Sequence, residues 1–229
     1  MIKHITCTLI FLFLLHLTYA QGNSYSQISQ KSSRSKFIDR NTMYGKNFYF
    51  EQNWVKGKLL MADNTVISSD TILFNYEKVN HRLLFTTDLI NIFELDSREY
   101  KAVLFYFKDT GYVFKHIYNV NEKDLFQVLV NEKNKYSLFK IPCSKLVRTY
   151  VGGESYYPYG GIKFLEIPAY YLFFPGQDYK TLYALKKQAI EKMFALTPEL
   201  SRVEEYLNNA GKKDLDENDL IHLVQYLNQ

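Results

Sequence analysis

The side chains in this sequence that are best suited to acid–base or metal chemistry are its histidines. Three of them follow residue 20, namely His81, His116 and His222. No two of them have the helical or hairpin spacing that would place both on one metal ion, so the sequence predicts no metal site. The motifs of serine hydrolases, nucleotide-binding loops, zinc proteases and redox dithiols are also absent from the sequence. We therefore expect no catalytic residue of these classes and no cofactor.

A pair of carboxylates is the one catalytic arrangement that the sequence leaves open. Glu154 and Glu166 are dispersed acids that could form a glycosidase-type pair, which requires two carboxyl groups roughly 5–10 Å apart in space. The acidic run at 214–219 lacks the spacing of a calcium-binding loop and is explained by helix capping. An envelope hydrolase with a dispersed carboxylate pair is therefore the alternative to a protein without enzymatic activity.

A tyrosine-rich segment is the strongest candidate for ligand binding. Residues 151–161 contain four glycines, one proline and three tyrosines, which are Tyr156, Tyr157 and Tyr159. Exposed tyrosine rings offer flat amphipathic area at a low entropic cost, which suits the surfaces of sugars and proteins. We predict these three residues as the ligand-binding residues. The alternative is that the rings fold back over the body of the protein as a plug.

The two cysteines predict a protein without disulfide bonds. Cys7 lies in the apolar segment near the N-terminus, and Cys143 is the other cysteine of the chain. If the N-terminal segment is removed, Cys143 has no partner within the chain. No histidine lies near Cys143 in the sequence, so we predict a buried and unreactive thiol.

The composition excludes several classes of protein. The chain has 229 residues, of which 47% are hydrophobic and 23% charged, as is typical of a folded protein. The net charge of +4 is small and spread along the chain, so we expect no nucleic-acid partner. Aromatic residues make up 17% of the sequence, and the 20 tyrosines and 17 phenylalanines favour half-buried β-structure.

The first twenty residues have the pattern of a secretory signal peptide. Lys3 is followed by an apolar run at 5–17, and Ala20 supplies the small residue expected before a cleavage site. We expect cleavage after Ala20 and export to the periplasm or the exterior. The alternative is an uncleaved anchor. A helix of roughly 13–15 residues is shorter than a ~30 Å hydrocarbon core, which argues against the anchor. No stable membrane span is expected after cleavage.

Apolar runs at short intervals predict about ten short β-strands. Because they recur every 8–12 residues or so with no long helix between them, they fit an antiparallel meander, either barrel-like or a strongly curled sheet. The predicted strand segments lie at 58–61, 65–68, 71–76, 82–87, 90–95, 101–107, 112–118, 125–130, 136–141, 162–167, 170–174 and 181–185.

The last forty or so residues change to a helical period. Gly211 stands where a helix C-terminus is expected, and Asp216 is a predicted N-cap with acidic Glu217 and Asp219 in the first turn. We therefore predict an α+β fold, in which a pair or trio of short C-terminal helices packs on the antiparallel β meander. The predicted organisation is a signal peptide at 1–20, a polar, disordered leader at 21–50, a β-rich body at 51–186 and a helical segment packed on that body at 187–229.

Several segments together carry a likeness to a known group of proteins, and they lie at 54–57, 61–65, 73–76, 126–130, 135–140, 182–187 and 217–228. On these segments the sequence resembles a family of uncharacterised exported, signal-peptide-bearing, β-rich proteins of Bacteroidetes-type bacteria. The resemblance covers most of residues 50–229 and implies a Gram-negative envelope setting, but it implies no activity and no catalytic residue.

Together these patterns predict an exported, non-enzymatic envelope protein that acts in binding or scaffolding. Its expected partner is a protein or a glycan of the cell envelope. Besides the hydrolase, a small outer-membrane β-barrel is a further alternative, because about ten alternating strands could close in lipid. The helices at the C-terminus and the strands without alternation, such as 101–107, argue against that barrel.

Overall fold

The computed structural model of the protein describes residues 36–38, 49–107, 110–149, 161–176 and 178–229. Three helices follow the strands: α1 (Lys187–Phe194), α2 (Leu200–Ala210) and α3 (Glu217–Leu227). The strands of the described residues are β1 (Lys36–Ile38), β2 (Val55–Met61), β3 (Val66–Glu77), β4 (Arg82–Thr86), β5 (Ile92–Glu94), β6 (Tyr100–Phe107), β7 (Thr110–Ile117), β8 (Asn121–Val130), β9 (Ser137–Ile141), β10 (Ser144–Thr149), β11 (Gly161–Glu166), β12 (Ala169–Phe173) and β13 (Tyr179–Leu182).

Eleven of these strands form one antiparallel sheet. Their order is β1-β5-β4-β3-β2-β6-β7-β8-β9-β12-β13, so most neighbours in the sheet are also neighbours in the chain. The predicted α+β class, with an antiparallel meander and three short C-terminal helices, is confirmed. Of the two predicted forms, the sheet is curled and open rather than closed, because β1 and β13 stand at its two ends.

Apart from shifts in the strand ends, the strand prediction differs from the structure in three places. Strand β1 was not predicted; it lies within the range of the predicted leader and pairs with β5. Segments 65–68 and 71–76 are parts of one long strand, β3, which is irregular in its pairing with β2 between Lys56 and Lys58. Strand β10 was not predicted, and it pairs with β11 in a separate two-stranded hairpin.

The first half of the sheet, from β1 to β7 in the strand order, buries its apolar face by curling. The ring of Tyr76 on β3 lies 5.5 Å from the ring of Phe114 on β7, although β2 and β6 separate these strands in the sheet. In a flat sheet with strands about 4.8 Å apart, the two rings would be roughly 14 Å apart. The curl therefore produces a core from one side of the sheet alone.

Phe50 fills this core from outside the sheet. Its ring lies 4.9 Å from Phe114 and 5.2 Å from Tyr112. The buried Asn75 holds the segment that carries it, since its side-chain amide donates to the carbonyl oxygens of Glu51 and Asn53 at 2.9 and 3.2 Å. Of the range 21–50, the structure thus describes β1 and residues 49–50, and the rest lies outside the described residues.

The second half of the sheet is covered by the three helices. Leu138 on β9 and Leu172 on β12 share one apolar cluster with Phe194 of α1 and Leu223 of α3. Each helix has eight to eleven residues, which is too short for stability in isolation, so this packing stabilises both partners.

The ends of the helices follow from local sequence signals. Asp216 accepts a hydrogen bond from the backbone N–H of Asp219, and the Asp219 carboxylate accepts one from the backbone N–H of Asp216, both at 2.9 Å. This reciprocal capping box starts α3 and confirms the predicted N-cap. Gly211 ends α2 with a φ of 67°, in the left-handed region that glycine adopts without a steric cost.

The C-terminal segment is tied to the sheet by one asparagine. The Asn228 side chain accepts a hydrogen bond from the Tyr136 backbone N–H and donates one to the Tyr136 carbonyl oxygen, both at 2.9 Å. Lys135 Nζ also donates to the Asn228 carbonyl oxygen at 2.6 Å. The end of α3 is thereby fixed to the start of β9.

Candidate functional site

The predicted ligand-binding residues Tyr156, Tyr157 and Tyr159 lie outside the described residues, as does Glu154. The two strands that flank them in the sequence are described. Strands β10 and β11 pair in register from Ser144 opposite Glu166 to Thr149 opposite Gly161. The candidate site therefore comprises this hairpin and the groups around its base.

The hairpin leaves the large sheet between two strands that pair directly with each other. Strand β9 pairs with β12, and their ladder ends at Ile141 opposite Ala169. The chain thus departs after β9, forms β10 and β11, and returns as β12. In the part of the chain that the structure describes, β10 and β11 pair with no strand other than each other.

The turn between β3 and β4 is shaped by a buried glutamate. The Glu77 carboxylate is fully buried and accepts hydrogen bonds from the backbone N–H groups of Val79 and Asn80 at 2.7 and 2.9 Å. Arg82 Nε pairs with the same carboxylate at 2.7 Å, which compensates for the burial of its charge. This turn presents Lys78 and His81 to the hairpin base and to β8.

Lys78 holds the base of the hairpin. The Ser144 backbone N–H donates to the Lys78 carbonyl oxygen at 3.1 Å, and Lys78 Nζ forms an ion pair with Glu166. The Ile167 N–H closes the base by donating to the Cys143 carbonyl oxygen at 2.9 Å. The Lys78 side chain is only 7% exposed, whereas the Glu166 side chain is 56% exposed, so burial fixes the lysine end of this ion pair and the glutamate end lies at the surface.

Beyond its base the hairpin exposes large aliphatic side chains. Leu146 is 44% exposed, Leu165 50% and Ile167 43%, and Lys145 is exposed beside them. Leu146 lies opposite Phe164 in the register, and Lys145 lies opposite Leu165. Since neighbouring positions in a strand point to opposite faces, the exposed leucines lie on both faces of the hairpin.

A polar cluster lies close to this base, and we call it the polar junction: the buried Tyr76 and His116 together with the partly buried His81 and Asp124. His81 Nδ1 lies 2.8 Å from Asp124 Oδ1, and His116 Nδ1 lies 3.0 Å from the Asp124 backbone oxygen. Both oxygens can only accept, so each imidazole donates from Nδ1 and Nε2 is left as an acceptor when the ring is neutral. Asp124 lies where the register between β7 and β8 shifts, next to both histidines.

Burial dominates the electrostatics of the polar junction. Desolvation lowers the pKa of His116, although its hydrogen bond to Asp124 and the charge of that residue act in the opposite direction. Desolvation also raises the pKa of Tyr76 well above its usual value, and the charge of Asp124 adds to this. The Tyr76 hydroxyl and Nε2 of both histidines are buried without a hydrogen-bond partner among the described residues.

The described part of the polar junction contains a histidine that is oriented by a carboxylate, but no nucleophile beside that histidine. A histidine that donates from Nδ1 to a carboxylate can accept a proton at Nε2. Within the described ranges, however, no hydroxyl or thiol lies within hydrogen-bonding distance of the buried Nε2 of His81. Among the described residues, no group of three or more histidine, cysteine, aspartate or glutamate side chains could hold a metal ion. The contacts that the junction makes hold the β3–β4 turn against β8.

The other predicted residues have the following positions. Glu166 is bound to Lys78, and its proposed partner Glu154 lies outside the described residues, so the carboxylate pair stays a prediction. Cys143 is half-buried rather than fully buried and packs in an apolar cluster with Phe126, and burial raises the pKa of its thiol. It therefore remains protonated and poorly nucleophilic. His222 is exposed on α3.

The structure adds residues that the sequence did not reveal as a site. His81 and Asp124 are 43 positions apart and meet only because the sheet curls. Lys78 and Glu166 are 88 positions apart. The sequence offered one local signal, the polar segment at 78–81 after a predicted strand. This segment predicts a turn, but it does not predict which distant residues the turn contacts.

No protein-family model, curated protein or solved structure matches this chain. Among the residues that the structure describes, no helix combines the length and the apolar character needed to cross a membrane.

Proposed function

We propose that this chain is an exported, non-enzymatic protein of the cell envelope that acts by binding or scaffolding, and that the β10–β11 hairpin contacts its partner. One observation carries the proposal. The hairpin is fixed at its base by Lys78, yet it exposes Leu146, Leu165 and Ile167 to solvent. Aliphatic side chains exposed on an element that is already held in place support binding to a partner, because little further ordering opposes the association.

The titratable groups near the hairpin support binding rather than catalysis. Glu166 is engaged by Lys78, and Asp124 is engaged by two histidines. These contacts position the hairpin and the neighbouring turn. The predicted ligand-binding residues Tyr156, Tyr157 and Tyr159 belong to the sequence that joins the two hairpin strands, so both predictions concern neighbouring parts of the chain.

Export is proposed from the sequence of the first twenty residues. The apolar run behind Lys3, followed by Ala20, supports removal of a signal peptide, and the resemblance described above implies a Gram-negative envelope. Sequencing the N-terminus of the protein from fractionated host cells tests this step. We expect chains that start at Gln21 in the periplasm or the medium. Intact chains with Met1 in the cytosol would contradict export.

The role of the hairpin is tested by charge insertion. We expect the double variant Leu146→Glu/Leu165→Glu to be lost from washed cell envelopes that retain the wild-type protein, because two carboxylates oppose the desolvation of the hairpin. Leu196→Glu is the matched control, since Leu196 is 96% exposed and lies between α1 and α2. Equal retention of the hairpin variant and the wild type would exclude the hairpin as the binding element.

A further inference from the structure

We infer that the outer face of β2, β6 and β7 binds an extended, acidic protein segment that presents an aliphatic side chain between two carboxylates. This inference goes beyond the proposed function, because these three strands are neighbours in the curled half of the sheet and the hairpin takes no part in the face. We call it the lysine face, and its members are Lys58, Leu60, Ala102, Leu104, Val113 and Lys115.

The strand register places these six side chains on one face, in two rows. The rows, read from β2 through β6 to β7, are Lys58–Leu104–Val113 and Leu60–Ala102–Lys115. Residues that lie opposite each other, and residues two positions apart in a strand, point to the same face of a sheet. The residues between them in the strands, such as Leu59 and Val103, belong to the core inside the curl. The lysine face is therefore the outer face.

The lysine face carries a positive charge. Strands β2, β6 and β7 contain four lysines and no acidic residue. Lys56 pairs with Asp70 of β3 at 2.9 Å, whereas Lys58 and Lys115 form no ion pair within the described residues. Lys115 Nζ instead donates to the Asn131 side-chain oxygen at 3.3 Å, and burial lowers the pKa of this lysine. A bound carboxylate would favour its charged form, whereas a second lysine face would repel it.

The aliphatic centre of the face is recessed, which favours a protein segment over a lipid surface or a glycan. Ala102 and Leu104 are each 7% exposed, and together with Lys58 and Val113 they line a shallow depression. A bilayer takes up apolar side chains that project from a protein, and these do not project. A glycan would stack on an aromatic ring, and the six residues include none. An aliphatic side chain of a peptide can reach into the depression.

The positions of the two lysines define the spacing of the carboxylates in the partner. Lys58 and Lys115 are separated by two steps between strands and by two residues along a strand, so their Cα atoms are roughly 12 Å apart. In an extended segment, residues four positions apart are about 13 Å apart and point to the same side, as does the residue midway between them. The pattern Glu-x-Leu-x-Glu therefore places leucine at the depression and one carboxylate toward each lysine.

Titration of the isotope-labelled protein with a synthetic peptide, followed by two-dimensional NMR, tests this inference. The capped peptide Ser-Glu-Thr-Leu-Thr-Glu-Ser supplies the pattern. One comparison peptide has serine in place of leucine, and the other has glutamine in place of both glutamates. We expect saturable shifts that cluster on β2, β6 and β7, and binding at least about fivefold weaker for each comparison peptide.

Charge reversals locate the contact. We expect Lys58→Glu/Lys115→Glu to weaken binding at least about tenfold, because both carboxylates of the peptide then meet a like charge. Lys58→Glu alone, which leaves the half-buried Lys115 in place, should weaken it about threefold or more. Lys123→Glu/Lys213→Glu changes the net charge equally at exposed positions elsewhere and should bind like the wild type. Circular dichroism must show that every variant is folded.

Three results would overturn the inference. They are the absence of saturable shifts, shifts that cluster on other strands, and undiminished binding by the folded Lys58→Glu variant. Phosphatidylglycerol vesicles and polygalacturonate are titrated in the same way. If either bound at these strands and the peptide did not, the face would belong to a lipid or a glycan and the inference would be wrong. Because no hairpin residue is changed, the proposed function is tested separately.

Discussion

The two halves of the large sheet cover their apolar faces in different ways. In the first half, the sheet curls until Tyr76 and Phe114 meet, and Phe50 packs against Phe114. In the second half, three helices form the cover, with Phe194 of α1 packed against Tyr136 and Phe174. One continuous sheet thus contains two cores, of which one is formed mainly by strands and the other by strands and helices.

Because the two halves are covered differently, they leave different faces of the sheet uncovered. In the first half, curling buries the concave face of the sheet. The contact of His81 with Asp124 holds the β3–β4 turn against β8. In the second half the helices occupy one face only, and the opposite face of β9 and β12 carries a second apolar cluster that includes Phe139, Phe173 and the half-buried Cys143. The hairpin leaves the sheet beside this cluster. Its exposed leucines are therefore attached to the half that is stabilised by helices.

The largest expected effects come from removing one ring from each core. Phe114→Ala and Phe194→Ala each delete a fully buried phenylalanine, so we expect each to lower the free energy of unfolding by about 3–5 kcal/mol. Denaturant unfolding measures both values. Because β7 and β8 pair across the boundary between the halves, we expect one shared transition. Two separate transitions, with only one of them shifted by each variant, would show that the halves unfold independently.

Close packing within the curled half is tested at Gly57. A Cβ atom there would lie 2.7 Å from the Leu104 backbone oxygen, so Gly57→Ala must disturb the pairing of β2 with β6. We expect a loss of about 2–3 kcal/mol in chemical unfolding. Gly111→Ala is the matched control, since its Cβ would lie 3.3 Å from the end of the Leu104 side chain, which can move. Equal losses for the two variants would show that backbone contact is not the cause.

The dependence of the second half on the C-terminus is tested at Asn228. Asn228→Ala leaves the Tyr136 N–H and carbonyl without their side-chain partner, and we expect a loss of about 2 kcal/mol in unfolding free energy. Asn209→Ala, at an exposed position of α2, should change it by no more than about 0.5 kcal/mol. A similar small change for Asn228→Ala would mean that the end of α3 is held by its apolar contacts alone.

The smallest expected effect is a pH dependence of stability from the curled half. The pKa of His116 is lowered by burial, so its neutral form is favoured in the folded state while the unfolded chain takes up a proton near pH 6.5. The contribution to stability is complete above that pH, and it is lost as the pH falls toward the lowered pKa. We expect His116→Gln to flatten the decline in unfolding free energy between about pH 7 and pH 5. His222→Gln, at an exposed site, should leave the decline unchanged.

The features that sequence reasoning recovered are those with local causes. The end of α2 at Gly211 and the N-cap of α3 at Asp216 depend on residues within one helical turn of each other. The contacts that complete the fold join distant residues, such as Tyr136 with Asn228, 92 positions away. Strand β10 was missed because its only described partner lies across the tyrosine-rich connection. The hairpin base and the polar junction depend on the curl of the sheet, which no local pattern specifies.

Site-specific photo-crosslinking in living host cells tests the role of the hairpin most directly. A photoreactive amino acid replaces Leu165 in one version of the full chain and Leu196 in another, since both side chains are exposed and they lie in different parts of the fold. We predict that illumination yields an adduct with an envelope component at position 165 and none at position 196. The absence of an adduct at position 165, or the same adduct at both positions, would contradict the assignment of the hairpin as the binding element.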